Sequence, residues 1–218
     1  MKLEFDSGIA LLTLDRPEKR NALSAAFVEE IIAAVDEVEA KGCVAAVLQA
    51  DGPTFCAGAD RKDVARHASE HSAGPDAPQE RKPGVEVVLR FQASPTFWVA
   101  AVQGQAVGAG VSLAVVCSAA FATRDTWLSI PEIEFGLFPE FLLGLITPLI
   151  GRRRAFELAT TGRHFTAEEA LSIGLLTGLE ETTADVQAMA LRTAQKILEQ
   201  PVVARDAAIY WGRLGKAE

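Results

Sequence analysis

Cysteine, histidine and net positive charge are all scarce in this chain, and each shortage argues against a class of function. Three cysteines, Cys43, Cys56 and Cys117, form an odd set whose spacings fit no zinc pattern, and each lies in an apolar run. They read as reduced core residues of an intracellular chain, not as a disulfide framework. Of the three histidines, His67 and His71 stand four apart without a third ligand nearby, so a metal site is not expected. His164 reads as part of a structural turn. A formal net charge of −8 argues against a nucleic-acid partner. No apolar run approaches the ~20 residues that a membrane span needs. The opening MKLEFDSG lacks the apolar centre of a secretory leader, so the expected location is the cytoplasm.

What is present is 49% hydrophobic residues in 218, enough for one sizeable core. Apolar runs at residues 3–5 and 9–14 flank Asp6-Ser7-Gly8, a hairpin signal. Ser24 caps a periodic helix to about Ala40, with Phe27, Ile31, Ile32, Val35 and Val38 on one face. Buried strands are expected at 44–49 and 97–102, and a helix at 85–92. Asp60 suits the N-cap of another helix, and residues 67–84, rich in Ser, Ala, Pro and charge without periodicity, read as a mobile surface segment. Strands alternating with helices argue for α/β layering. After Gly151 the chain reads as helical to its end, with Thr166 capping one helix and Pro201 opening the last, and a soft boundary near Gly162.

The chemistry concentrates in residues 103–151. Gly104, Gly108 and Gly110 follow a buried strand and open a helix that is small and apolar all round. Such a turn aims unpaired N–H groups and a positive dipole end at whatever lies before it, suiting an oxygen that gains charge during a reaction. The spacing G-x-x-x-G-x-G is not a dinucleotide fingerprint, and a P-loop lysine is missing. Two carboxylates, Glu132 and Glu140, each directly follow a proline. Either could be no more than a turn or helix-start charge.

Five stretches in order, LTLDRPEKRNALS, VLQADGPTFCAGAD, VAAVQGQAVGAGVSLA, IPEIEFGLFPE and TGRHFTAEEALSIGLL, resemble the successive signatures of the crotonase family, the enoyl-CoA hydratases and isomerases. The resemblance spans residues 8–205. It implies an α/β fold: a spiral of ββα units with two nearly perpendicular sheets over residues 1–162, and a helical C-terminal region over 163–218 that serves trimerisation and pocket cover. It also implies a homo-oligomer, a trimer or dimer of trimers. The substrate is an acyl-CoA thioester, with no cofactor beyond the coenzyme A that the substrate carries. By the same resemblance the backbone N–H groups of Ala59 and Ala109 form the oxyanion hole, Glu132 is catalytic, and Glu140 is a second candidate acid. The implied substrate-binding positions are Lys19, Arg20, Ala22, Ala57, Gly58, Asp60, Arg61, Lys62 and Gly108, the cations among them suited to CoA phosphates.

Hydratases of this family use two glutamates, and the position of the first is Ser112 here. Hydration needs one group to activate water and another to manage the α-proton, whereas a single carboxylate suffices to move a proton between carbons. The favoured reading is therefore a 3-enoyl-CoA to 2-enoyl-CoA isomerase. GLFPE also resembles the GLFPD of 3-hydroxyisobutyryl-CoA hydrolases, so thioester hydrolysis by Glu132 and Glu140 is the alternative. A non-catalytic acyl-CoA or acyl-carrier binder is a third. The chain stops soon after Tyr210 and Trp211, earlier than a typical member, which leaves either a more open pocket or tail aromatics that replace the missing cover.

Overall fold

Alternation of apolar residues along the strands decides which face of the main sheet each helix covers. The computed structural model describes residues 1–60 and 83–214. Strand β1 (Lys2–Asp6) pairs antiparallel with β2 (Ile9–Leu14) through Ser7 and Gly8, whose φ angles of 50° and 86° form the left-handed turn that matches strand twist. β3 (Ala45–Ala50), β4 (Phe97–Val102), β6 (Ala119–Thr123) and β9 (Gly178–Glu180) extend the sheet in parallel, in the order β1-β2-β3-β4-β6-β9. A second sheet, order β5-β7-β8, is built from β5 (Gln105–Val107), β7 (Trp127–Ser129) and β8 (Phe165–Thr166).

In chain order the described helices are α1 (Ala25–Ala40), α2 (Pro83–Ala93), α3 (Ala109–Val116), α4 (Glu140–Ile150), α5 (Arg152–Thr161), α6 (Ala167–Ser172), α7 (Thr183–Leu198) and α8 (Pro201–Leu214). Short 3-10 turns occupy Pro17–Lys19 and Pro131–Phe135. Leu12, Leu48, Ala100 and Ala122 point to one face of the large sheet and join Phe27, Val35, Val87 and Val111 of α1 to α3 in the main core. Their neighbours Ile9, Val47, Val99 and Phe121 point the other way, where Val186, Ala190 and Ala194 of α7 cover them. The strands β2 to β4 are thus buried on both sides, which explains their continuous apolar sequence.

Most boundaries follow local chemistry. Ser24 accepts the Phe27 N–H and Thr166 the Glu169 N–H, so α1 and α6 begin where the caps predict. The expectation of helix throughout after Gly151 needs correction, because β8 and β9 carry that segment into both sheets. The helix expected at Asp60, most of the surface segment expected at 67–84, and the residues Arg61, Lys62, His67 and His71 lie outside the described residues. Pro83 and Gly84, at the end of that segment, already belong to α2.

Candidate active site

The site forms where two loops from different strands adjoin. The first, 56–60, follows β3 and runs alongside residues 20–23: Ala57 N–H donates to Arg20 O (3.0 Å), Leu23 N–H to Gly58 O (2.8 Å) and Asp60 N–H to Leu23 O (3.0 Å). These bonds make a parallel bridge between Leu23 and Ala59. Because alternate residues of an extended chain face opposite partners, the Ala59 amide faces away from Leu23. Gly58 is buried beneath it, and Ala59 itself is half-buried.

The second loop runs from β5 into α3. Gly108 adopts φ 51° and ψ −112°, a conformation open essentially only to glycine, while Ala109 begins the helix. Ser112 N–H makes a helical bond to Gly108 O (3.1 Å), which leaves the Ala109 amide in the first turn without an intrahelical acceptor. The two loops touch: a methyl placed on Gly58 would stand 2.7 Å from Val107 O and 3.7 Å from Ala109 N. At Gly110 any side chain would collide with the Cys56 carbonyl, so α3 and the first loop lie backbone to backbone.

Glu132 completes the arrangement. It lies in the turn Pro131–Phe135 after β7, half-buried, with Oε2 shielded from solvent. A methyl on Gly108 would stand 2.7 Å from Glu132 Oε1. The carboxylate therefore rests against the residue that precedes the Ala109 amide. Gly108 N–H donates to Ser129 O (2.9 Å), tying this loop to the strand that delivers Glu132. Chemically, two amides at adjoining bends can polarise one carbonyl while a carboxylate a short distance away moves a proton on a neighbouring atom.

The other candidates separate. Glu140 is exposed at the first position of α4. Ser112 is buried (4% exposed) inside α3. Lys19 and Arg20 are exposed beside Ala57, and Ala22 and Asp60 are half-buried along the same ladder. Among the described residues no group of three or more His, Cys, Asp and Glu could hold a metal ion. Burial pushes the Cys56 thiol up to about 12, and its Sγ donates to Asn21 O (3.2 Å), so it is a packed thiol and not a nucleophile. His164 stacks on Trp127 with centroids 4.0 Å apart. An open depression lined by Gly151, Arg152, Arg153, Arg154 and Glu157 shares no residue with this arrangement.

Three features were not foreseen. The Ala109 methyl meets α2, where a side chain at Gly84 would come within 2.9 Å of it, so the extra methyl is accommodated by a missing one. The Pro83-Gly84 pair hints only at a turn. Asn21, inside what reads as a polar turn, is completely buried (0% exposed). The place of Trp211 is the third: its Nε1 donates to Val116 O (3.0 Å), at the far end of α3 from Ala109, and Tyr210 is exposed. Of the two alternatives left by the short tail, neither residue supports the one in which tail aromatics replace the cover.

Comparison with known proteins shows the family and the fold. The family model described as enoyl-CoA hydratase/isomerase matches residues 4–209. A probable enoyl-CoA hydratase of Bacillus subtilis strain 168 is 30% identical over 202 residues, 92% of this chain and 76% of that protein. A hydroxycinnamoyl-CoA hydratase-lyase of Pseudomonas fluorescens is 32% identical over 95% of this chain and 76% of its own length. The crystal structure of an enoyl-CoA hydratase from Mycobacterium smegmatis superposes with a TM-score of 0.84 at 27% identity, covering 100% of this chain and 84% of that one. Motif order, fold and adjoining loops thus converge, and the chain belongs to the enoyl-CoA hydratase/isomerase family of the crotonase superfamily.

Proposed function

We propose that the protein binds an acyl-CoA thioester and moves its double bond from the 3- to the 2-position. The Ala59 and Ala109 N–H groups hold the thioester oxygen. Glu132 takes the proton from C2 of the 3-enoyl group, electrons flow into the carbonyl to give a dienolate, and Glu132 returns the proton to C4. The carbonyl then reforms with the double bond between C2 and C3. Preorganised donors aimed at the developing oxyanion lower the barrier by several kcal/mol. The CoA phosphates lie toward Lys19 and Arg20, with Arg61 and Lys62 further candidate cations by sequence alone, and the working form is a homo-oligomer, a trimer or dimer of trimers, in the cytoplasm.

The observation that carries this reading is the Glu132 carboxylate against Gly108, one residue before the Ala109 amide, with Ser112 in α3 at the place where hydration would want a second carboxylate. The exposure of Glu140 supports one working carboxylate over the two that hydrolysis would use. Purified protein incubated separately with 3-enoyl-CoA and 2-enoyl-CoA tests it by product chromatography. Conversion of the first without rapid water addition to the second is expected. Rapid hydration of the second with no shift of the first overturns the proposal.

A further inference from the structure

Asn21 is a completely buried amide whose side-chain hydrogen bonds all go to backbone, one to its own loop after β2 and two to the loop after β3. Its Oδ1 accepts the Arg16 N–H (2.8 Å), and its Nδ2 donates to Asp51 O (3.0 Å) and Thr54 O (2.8 Å). Arg16 lies just past the end of β2 and Asp51 directly follows β3, so the side chain is rooted in two neighbouring strands of the large sheet. Thr54 leads into the loop that carries Ala59. The main chain adds two ties, Asn21 N–H to Arg16 O (3.0 Å) and the Cys56 thiol to Asn21 O (3.2 Å). At φ 52° Asn21 holds a left-handed conformation that asparagine tolerates better than most residues.

The consequence lies two residues on. Leu23 supplies both bonds of the bridge that orients Ala59, and Asn21 fixes the register of Leu23 against residues 57–60. A slip or tilt of residues 20–23 would turn the Ala59 peptide, because Gly58 O and Asp60 N–H would follow their partner. No common substitute does the same work. Aspartate keeps the acceptor for Arg16 but sets a carboxylate oxygen against two carbonyls. Glycine permits the backbone angle but leaves one N–H and two carbonyls without their bonds.

We propose that Asn21 is a positioning residue for the reaction, acting through the Leu23–Ala59 bridge to aim the Ala59 N–H at the thioester oxygen. This rests on the oxyanion role given to Ala59 above. The test compares wild type with Asn21→Gly and Asn21→Asp, using kcat, KM and the absorption of bound cinnamoyl-CoA, whose band moves to longer wavelength as its carbonyl is polarised. The expected result is a loss of about 10²-fold in kcat, a KM within about threefold of wild type, and a smaller red shift. A core variant of comparable thermal stability, Val35→Ala, should retain both kcat and the full shift. A folded Asn21 variant with wild-type kcat and red shift overturns the inference. Should neither variant fold, hydrogen exchange of the wild type decides: slow exchange of the Leu23, Ala57 and Asp60 amides, matching β3, supports a rigid bracket, and loop-like exchange overturns it. If wild type itself neither turns over substrate nor shifts the chromophore, the oxyanion reading of Ala59 fails instead.

Discussion

Replacing Gly108 by alanine sets two costs against each other that different instruments read. The new methyl would stand 2.7 Å from Glu132 Oε1 and 3.4 Å from Cδ. Ordinary contact begins near 3.4 Å, so the carboxylate must retreat by about 0.7 Å. It is the far end of a flexible side chain, so it can move; the fold survives, but the proton acceptor is displaced. A misplacement of about 1 Å in a reacting group costs roughly 10²-fold in rate. Separately, alanine at φ 51° and ψ −112° carries backbone strain of roughly 1–3 kcal/mol, or about 2–4 °C in Tm for each kcal/mol at this chain length. Gly42→Ala is the matched control, because its φ is 72° but nothing lies within 4 Å of the added methyl. Both variants should melt earlier, and only Gly108→Ala should lose kcat in the 3-enoyl-CoA assay, with thioester affinity little changed. Equal activities in the two would refute the idea that the position of Glu132 against Gly108 governs the chemistry.

Other expectations follow from the same structure. Glu132→Gln keeps the volume but removes the proton acceptor, so kcat should drop by about 10²–10⁴-fold while CoA-thioester binding, measured by calorimetry, persists. Cys56 and Cys117 are buried and Cys43 is half-buried, so a thiol reagent should titrate Cys43 alone until the protein unfolds. Burial also raises the Cys56 thiol from 9.0 to about 12. The unfolded chain therefore releases that proton first, and stability to denaturant should be complete below pH 9 and decline as pH rises toward 12. Arg163 bonds both Glu157 (2.6 Å) and Glu169 (2.6 Å), joining α5 to α6 and holding both carboxyls below their usual range. That stabilisation should fade as pH falls below 4.5, and because the network is partly exposed, Arg163→Ala should cost only about 1 kcal/mol at neutral pH in chemical denaturation.

Elements governed by neighbours in sequence were legible before any coordinates. The turn at Ser7-Gly8, the Ser24 and Thr166 caps and the apolar strand at 97–102 each announce themselves within a few residues. The strands of the second sheet did not, because β5, β7 and β8 are two or three residues long and too short to show a period, and that there is a second sheet was implied only by the resemblance. The loops at Ala59 and Ala109 and the turn at Glu132 could be placed through the motif order. Their adjacency was implied only by the resemblance and not by the residues themselves, because it depends on backbone approaches between distant residues, Gly58 to Val107 and Gly110 to Cys56. Asn21 was missed for a related reason: asparagine after a charged turn looks solvated, and only the packing of the loop after β3 against its own loop makes it a buried amide. Whether the tail aromatics replace the missing cover stayed open, because sequence shows that Trp211 is late in the chain but not which end of α3 its indole will reach.

The strand order β1-β2-β3-β4-β6-β9 also governs how the molecule comes into being. Past the first hairpin, each added strand pairs with one brought from far along the chain, and such non-local parallel pairing forms slowly. The edge strand β9 and the helix α7 that seals the far face come from residues 178–198, so a nascent chain leaving the ribosome carries Ile9, Val47 and Val99 uncovered until those residues have been made. Expression yield should therefore respond to chaperone supply and growth temperature more strongly than the stability of the finished fold would suggest.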